Sequence, residues 1–437
     1  MGTRQRSTLV GLLVVVLPYA LLTSVNYSDS YRQTSPIGRQ LQHVDYKGVY
    51  PYHPTTSSSA SVVRKSILIF GDYPEMLRWP ELSVFLDILQ QELSGKKAHG
   101  ELVCPEHDNV QLKLTVSDNV DDFVGKDVVI FGLLAKSMKG RLAELLANTP
   151  RPSSDQLWVY YSTETPLMVK RWTEADQSQP TMSDMMYHLM MTYQSESEVH
   201  IPFGYYRYKR SKPSVQDRIV PQKSKLIYWM ASNCDEVSWP RSAFVRELEQ
   251  HLPLHTYGKC GSRQCLPVRS KRCFDLLDNY KFYLAIANGE CREYITEKLW
   301  TNTLSFNTVP VVYGAKKEDF ARLAPPHSFI HVSDFKDTQA LADYLLELDR
   351  NDTKYRTYLE WKKTYEVVTT FPVAPNTLCH LIPYIDEDRS TRQHRKLKYI
   401  RDSKWYQGCR KDRNGTDLVN FMAQKEQNVN FKSWLPW

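Results

Sequence analysis

The sequence predicts an α/β protein built from two Rossmann-like domains that face each other across a cleft. Two short apolar runs, each stopped by glycine, carry the first half: Ser66-Ile67-Leu68-Ile69-Phe70-Gly71 and Asp127-Val128-Val129-Ile130-Phe131-Gly132. Such runs are the pattern of strands buried on both faces. The second observation is that the pattern starts again, at Leu226 to Met230, Lys281 to Ala285 and Val309 to Tyr313, after a polar Lys/Pro-rich connection near 208–223.

Within the first half, Leu82 to Leu93 and Met138 to Leu146 read as helices, and Leu157 to Tyr161 as a third strand. Ala243 to Leu252 reads as a helix of the second half. Alternating strands and helices predict parallel sheets covered on both faces, with ligands outside the carboxyl ends of the strands. The expected domains are 64–215 and 222–370, followed by a basic, aromatic tail at 371–437 that packs back on them.

Ahead of these lies an uncharged, Leu/Val-rich stretch at 8–25, preceded by Arg4 and Arg6. Its length is close to the ~20 residues of a membrane-spanning helix. The basic residues in front put a short tail, 1–7, in the cytosol and the bulk of the chain on the other side. A cleaved signal peptide is the alternative, since Thr23 and Ser24 are small. Residues 26–63, with Ser57-Ser58-Ser59 and Pro36, Pro51 and Pro54, have the composition of a stem. Acceptor patterns for N-glycosylation at Asn26, Asn351 and Asn414 agree with that topology, as does an even number of cysteines, eight. Cys379 and Cys409 are the expected tail disulfide, because no other cysteine lies beyond Cys291. Cys260, Cys265, Cys273 and Cys291 are expected to staple the region around residue 290.

The formal net charge of +7 is spread over short clusters, with no nucleic-acid-binding module, so no nucleic-acid partner is expected. An anionic small-molecule substrate suits a mild basic excess. His251 with His255, and His327 with His331, have the i,i+4 spacing of metal ligands, but Pro253 interrupts the first pair. Neither includes the glutamate of a zinc-protease motif, and Asp386-Glu387-Asp388 lies in the tail, so no metal site is expected.

The segment with most chemical content is Tyr280-Lys281-Phe282-Tyr283-Leu284-Ala285, then Glu293-Tyr294-Ile295-Thr296-Glu297-Lys298-Leu299-Trp300, then Val309-Pro310-Val311-Val312. If 294–301 is helical, Tyr294 and Lys298 share a face, with Glu297 beside it. The helix start would add free N–H groups suited to a diphosphate, and Glu297 would accept from ribose hydroxyls. A solvated surface helix shows the same bare pattern.

This Tyr-Ile-Thr-Glu-Lys block with its flanking strands resembles the donor-binding motif of the α1,3-fucosyltransferases. Trp229-Met230-Ala231-Ser232-Asn233-Cys234, Arg241 and His255-Thr256-Tyr257-Gly258-Lys259-Cys260-Gly261 are similar to the family's Ser-Asn strand end, phosphate-binding arginine and Tyr-Gly-Lys-Cys-Gly turn. Tyr193 to Tyr205 resembles its Tyr-Arg-x-Asp-Ser-Asp…Pro-Tyr-Gly stretch.

The resemblance implies a GT-B arrangement and an inverting transfer of fucose from GDP-fucose to a GlcNAc hydroxyl of an N-glycan or other glycan acceptor, in α1,3 linkage. It implies a type II Golgi membrane protein with a lumenal catalytic domain. It also implies no required cofactor, a divalent ion being at most stimulatory. Glu164, after the strand 157–161, matches the catalytic base. Ser232, Asn233, Arg241, Tyr283, Asn288, Tyr294, Glu297 and Lys298 match donor contacts. Cys291 just before Tyr294 resembles members acting on the N-glycan core. The chain departs from the family at Ile286-Ala287-Asn288-Gly289, where Phe-Glu-Asn-Ser is common, and at Asn307, where Gly is usual. A weak or inactive protein that keeps the nucleotide-sugar scaffold is the alternative reading.

Overall fold

The computed structural model describes residues 62–410, apart from 94, 105, 108–109, 149–154, 174–180, 211–222, 235–236 and 268–269. The stretch 8–25, the stem to residue 61, Asn26 and Asn414 lie outside the described residues. Among those described, no helix is long and apolar enough to cross a membrane.

The first half contains strands β1 (Val63–Phe70), β2 (Leu89–Gln91), β3 (Ala98–Val103), β4 (Val110–Ser117), β5 (Val128–Phe131), β6 (Leu157–Ser162), β7 (Met186–Tyr187), β8 (Leu189–Thr192) and β9 (Val199–His200). Eight of them form one sheet in the order β2-β3-β4-β1-β5-β6-β8-β9. From β4 to β9 all pairs are parallel. The sheet is mixed rather than parallel throughout, because β3 and β2 join antiparallel at its edge. The burial patterns account for both. Ile67 to Phe70 have no exposed surface, as a strand covered on both faces requires, whereas β3 alternates buried Ala98 with exposed His99.

The expected helix at 82–93 is instead a 3₁₀ turn, Pro80–Asp87, followed by β2. Its buried residues Leu82 and Phe85 are three apart, which suits three residues per turn. The expected helix at 138–146 begins only at Leu142, since Gly140 takes a φ of 73° after the turn Ala135–Met138.

The chain then crosses to the second half through β10 (Gly204–Tyr208). There β11 (Lys225–Met230), β12 (Leu254–Tyr257), β13 (Tyr280–Ile286), β14 (Val309–Tyr313) and β15 (Ile330–His331) make a parallel sheet in the order β12-β11-β13-β14-β15. This is the doubly wound order with a reversal between its first and third strands. It crosses back through β16 (Tyr365–Thr369), which pairs antiparallel with β10, so the two crossings form one ribbon.

Beyond β16 the chain as far as β17 packs on the first half. Leu378, Leu381, Ile382 and Ile385 share a core with Ile67, Val128 and Val159, and β17 (Lys398–Tyr399) pairs with β7. The disulfides are Cys104–Cys379, Cys234–Cys260, Cys265–Cys273 and Cys291–Cys409. Cys379 and Cys409 therefore do not pair with each other. The tail divides between the two halves: Cys379 packs against the first sheet, whereas Cys409 bridges to Cys291 of the second. Asn351 caps the helix Asp352–Thr357, its side-chain oxygen accepting from the Lys354 N–H at 3.0 Å.

Candidate active site

A cavity of about 160 Å³ opens where the carboxyl ends of the two sheets meet. Gly132 follows β5, Ser162 ends β6, and Thr163 and Glu164 follow it. Asn288 follows β13, and Tyr294, Glu297 and Lys298 close the second side. Gly132 must be glycine: its φ is 92°, and a Cβ would stand 2.2 Å from the Tyr161 carbonyl oxygen.

Glu164 is fixed by a tight turn. The Ser162 hydroxyl accepts from the Glu164 N–H and donates to its carbonyl, both at 3.0 Å, and the Trp405 indole donates to that carbonyl at 3.1 Å. Pro166 then opens the helix Pro166–Thr173. The carboxylate points across the cleft, where Oε2 accepts from the Tyr294 hydroxyl at 2.6 Å. Burial first, and then the Glu164 charge, push the Tyr294 phenol well above its usual range, so it stays protonated and donates.

The 294–298 block is not the expected helix. The α-helix covers only Glu297–Leu299, with Thr296 at its N-cap making no side-chain capping bond, and passes into a π-helical turn, Trp300–Leu304. Glu293 takes a φ of 58°, and buried Ile295, Leu299 and Trp300 anchor the loop, the Trp300 indole donating to the Ile295 carbonyl at 3.2 Å. Tyr294 and Lys298 thus reach the cavity from a loop and a single turn, not from one helical face. So short a helix supplies little dipole for a diphosphate. Lys298 Nζ pairs with Glu297 Oε1 at 2.9 Å.

Ser232 and Asn233 follow β11 and Asn288 follows β13, on the two sides of the strand-order reversal. Arg241 joins them. It is 1% exposed, donates to Asn288 Oδ1 at 2.6 Å and to the Asn233 carbonyl, and lies over the Trp229 ring. It therefore backs Asn288 rather than standing on the cavity wall. Tyr283 is a core residue stacked on Tyr228 with ring centroids 4.5 Å apart, and burial raises its phenol pKa.

The segment 193–198 binds the halves together. Glu293 accepts from the Ser195 N–H at 2.6 Å and from its hydroxyl at 3.0 Å. Glu196 pairs with Lys404 and Arg292, whose hydrogen bonds hold its carboxyl down to about 2.

Sequence reasoning missed the apolar wall: Trp79, Leu82, Trp172, Phe203 and Phe371. Trp79 stands just before Pro80, a turn signal, but nothing in the chain pairs it with Trp172. Among the described residues no three His, Cys, Asp or Glu side chains are grouped to hold a metal ion. His255 bonds the Tyr280 hydroxyl, His331 is buried against Ser333, and Asp386 pairs with Lys65.

Residues 220–402 match the family model described as glycosyltransferase family 10 (fucosyltransferase), C-terminal. The glycoprotein 3-alpha-L-fucosyltransferase A of Drosophila melanogaster is 31% identical over 281 residues, 61% of this chain and 54% of that protein. The alpha-(1,3)-fucosyltransferase 4 of Homo sapiens is 36% identical over 235 residues, 52% of this chain and 42% of that protein. The chain thus spans about half the length of the curated relatives it matches. A solved alpha1,3-fucosyltransferase with GDP-fucose aligns over 77% of this chain and 95% of its own, at 18% identity and a TM-score of 0.46.

Proposed function

We propose that this chain, whose residues 220–402 match the glycosyltransferase family 10 (fucosyltransferase) model, is an α1,3-fucosyltransferase that transfers L-fucose from GDP-fucose to a GlcNAc hydroxyl of a glycoprotein glycan, with inversion. The observation that carries the reading is Glu164 facing Asn288, Glu297 and Lys298 across one cavity, at the carboxyl ends of parallel strands from the two sheets. That is the GT-B arrangement, with acceptor chemistry on one side and donor binding on the other.

In this reading the acceptor oxygen forms a bond to the anomeric carbon as the bond to the GDP phosphate oxygen breaks. The acceptor proton passes to Glu164, whose carboxylate Tyr294 holds in place. Lys298, on the wall, and Arg241, behind Asn288, offset the charge that gathers on departing GDP. Lys298 exchanges Glu297 for phosphate oxygens, and Glu297 turns to the ribose. Ser232 and Asn233 complete the donor side. With two cations available, no metal is required. The Drosophila relative is named for a glycoprotein acceptor, which supports the acceptor class. A Golgi type II topology, anchored through 8–25, is part of the same proposal.

A second reading, nucleotide-sugar binding without turnover, is favoured by Ala287, which is buried where the family commonly has a carboxylate. GDP release by the full-length protein, with GDP-fucose and a panel of GlcNAc-terminated and core N-glycan acceptors, separates the two. Acceptor-dependent release lost in Glu164→Gln and Lys298→Ala is expected. Binding that needs Lys298 without release supports the second reading, and neither binding nor release sinks both.

A further inference from the structure

The geometry points to Trp79 and Trp172 as a stacking platform for a neutral saccharide ring of the acceptor, at the mouth of the cavity that holds Glu164. This rests on the transferase reading of the same site and names how its second substrate is held.

The two indoles meet edge to face, with centroids 4.9 Å apart and planes at 65°. Both are only half-buried, and both line the cavity wall opposite the charged side formed by Glu297 and Lys298. At the rim of a cavity they offer broad apolar faces with little rotamer entropy to lose. A pyranose ring has the matching shape: an apolar face of C–H groups, and hydroxyls around its edge. Leu82 and Phe371 add to the apolar wall, and the charged lining residues are Glu164, Glu297 and Lys298 alone.

The platform is also held in place. Lys136 sets its ammonium 4.7 Å from the Trp79 centroid and 5.5 Å from that of Trp172, covering both rings from one side. Lys136 is itself anchored through its neighbour: the Ser137 hydroxyl accepts from the Asp72 N–H at 3.1 Å and donates to buried Glu75. These contacts tie the Tyr73–Leu77 helix, and so Trp79 beyond it, to the Ala135–Met138 turn. Trp172 lies in the last turn of Pro166–Thr173, the helix that Glu164 precedes by two residues. From Pro166 to Trp172 the helix rises ~9 Å. A sugar stacked on Trp172 would therefore belong to the same short oligosaccharide as the hydroxyl presented to Glu164, one ring or so further in.

The test is saccharide binding without donor. Full-length protein is titrated with N,N′-diacetylchitobiose and with N-acetyllactosamine, read by calorimetry and by tryptophan fluorescence, and separately with GDP-fucose. Trp79→Ala and Trp172→Ala are expected to weaken saccharide binding about tenfold or more, as loss of an aromatic stacking face implies. GDP-fucose affinity is expected to stay within about twofold, and Trp172→Phe to recover most of the loss, the ring face being kept. Unchanged melting temperatures show that the variants fold. Saccharide affinity unchanged in both alanine variants, parallel loss of GDP-fucose affinity, or no saccharide binding by the parent protein overturns the platform. Because turnover is not the readout, tryptophan-dependent binding without GDP release would remove the transferase reading and leave the platform standing. Turnover with tryptophan-independent acceptor affinity would do the reverse.

Discussion

Tyr294 and Glu164 lie 130 residues apart in the chain, and the phenol of one donates to the carboxylate of the other at 2.6 Å across the cleft. One half of the molecule thus supplies the carboxylate and the other half aims it. A hydrogen bond to a charged group contributes about 1.5–3 kcal/mol. Tyr294→Phe is therefore expected to lower kcat roughly tenfold to a hundredfold, with a small change in the KM for GDP-fucose. Steady-state kinetics with donor and acceptor varied in turn measure the split. An unchanged kcat would remove Tyr294 from any positioning role.

His188 is buried and neutral, accepting the Trp158 N–H at 2.9 Å through Nδ1. Burial, helped by the nearby Arg395 charge, lowers its pKa from 6.5 to about 4. The unfolded chain takes up the proton first, so the stability tied to this residue is complete above pH 6.5 and is lost as the pH falls towards 4. A shift of this size corresponds to about 3 kcal/mol. Melting temperatures between pH 7 and pH 4.5 are expected to fall less steeply in His188→Gln than in the parent protein.

Cys291–Cys409 closes a loop with a sequence separation of 118. A cross-link of that span contributes about 5 kcal/mol by the chain-entropy argument. Cys291→Ser and Cys409→Ser are each expected to lower the melting temperature by several degrees, and the double variant to be no worse than either single one. Beside the bridge, buried Glu290 accepts from Arg410 at 2.9 Å, so loss of the disulfide also loosens that ion pair.

Ala287 is 3% exposed, and Gly314 leaves it room: a Cβ on Gly314 would stand 2.6 Å from the Ala287 Cβ. Restoring the family's carboxylate by Ala287→Glu would bury an unpaired charge beside the Trp239 indole, which donates to the Ala287 carbonyl at 2.9 Å. Such burial costs about 3–5 kcal/mol. Reduced expression and a lower melting temperature are expected, with no gain in turnover; a faster enzyme of normal stability would contradict this account.

The strands legible in the sequence are those the sheets cover on both sides. Ile67 to Phe70 in β1, Val128 to Phe131 in β5 and Val309 to Tyr313 in β14 are buried throughout, and each reads as an unbroken apolar run. By contrast β3, with Ala98 inward and His99 outward, interleaves polar residues and left no such trace. Glu164 and Asn288, to which the resemblance pointed, both line the cavity, and each follows a legible strand. Trp79 and Trp172 were not, since their contact comes from how the turn after β1 packs on the helix after β6. The cysteine pairing failed for a related reason: closeness in the tail's sequence said nothing of which half each end of the tail would meet. The helix over 294–301 failed because local periodicity does not register the positive φ at Glu293 or the anchoring of Trp300.

The return of the tail has a mechanical consequence. Cys379 is fastened to Cys104 in the first half and Cys409 to Cys291 in the second, so the chain between them is a covalent leash joining the halves, besides β10 and β16. Along its length β17 is paired with β7, and Trp405 sits against Tyr160. A clamshell opening of the two halves would have to peel this leash from the first sheet before its slack could be used. Hinge travel is thus restrained in the oxidised protein, and the gating of the cleft falls to loops and side chains at its rim. Reduction would cut the leash at both ends at once, leaving the β10–β16 ribbon and the noncovalent contacts of Tyr294 and Glu293 to hold the halves together.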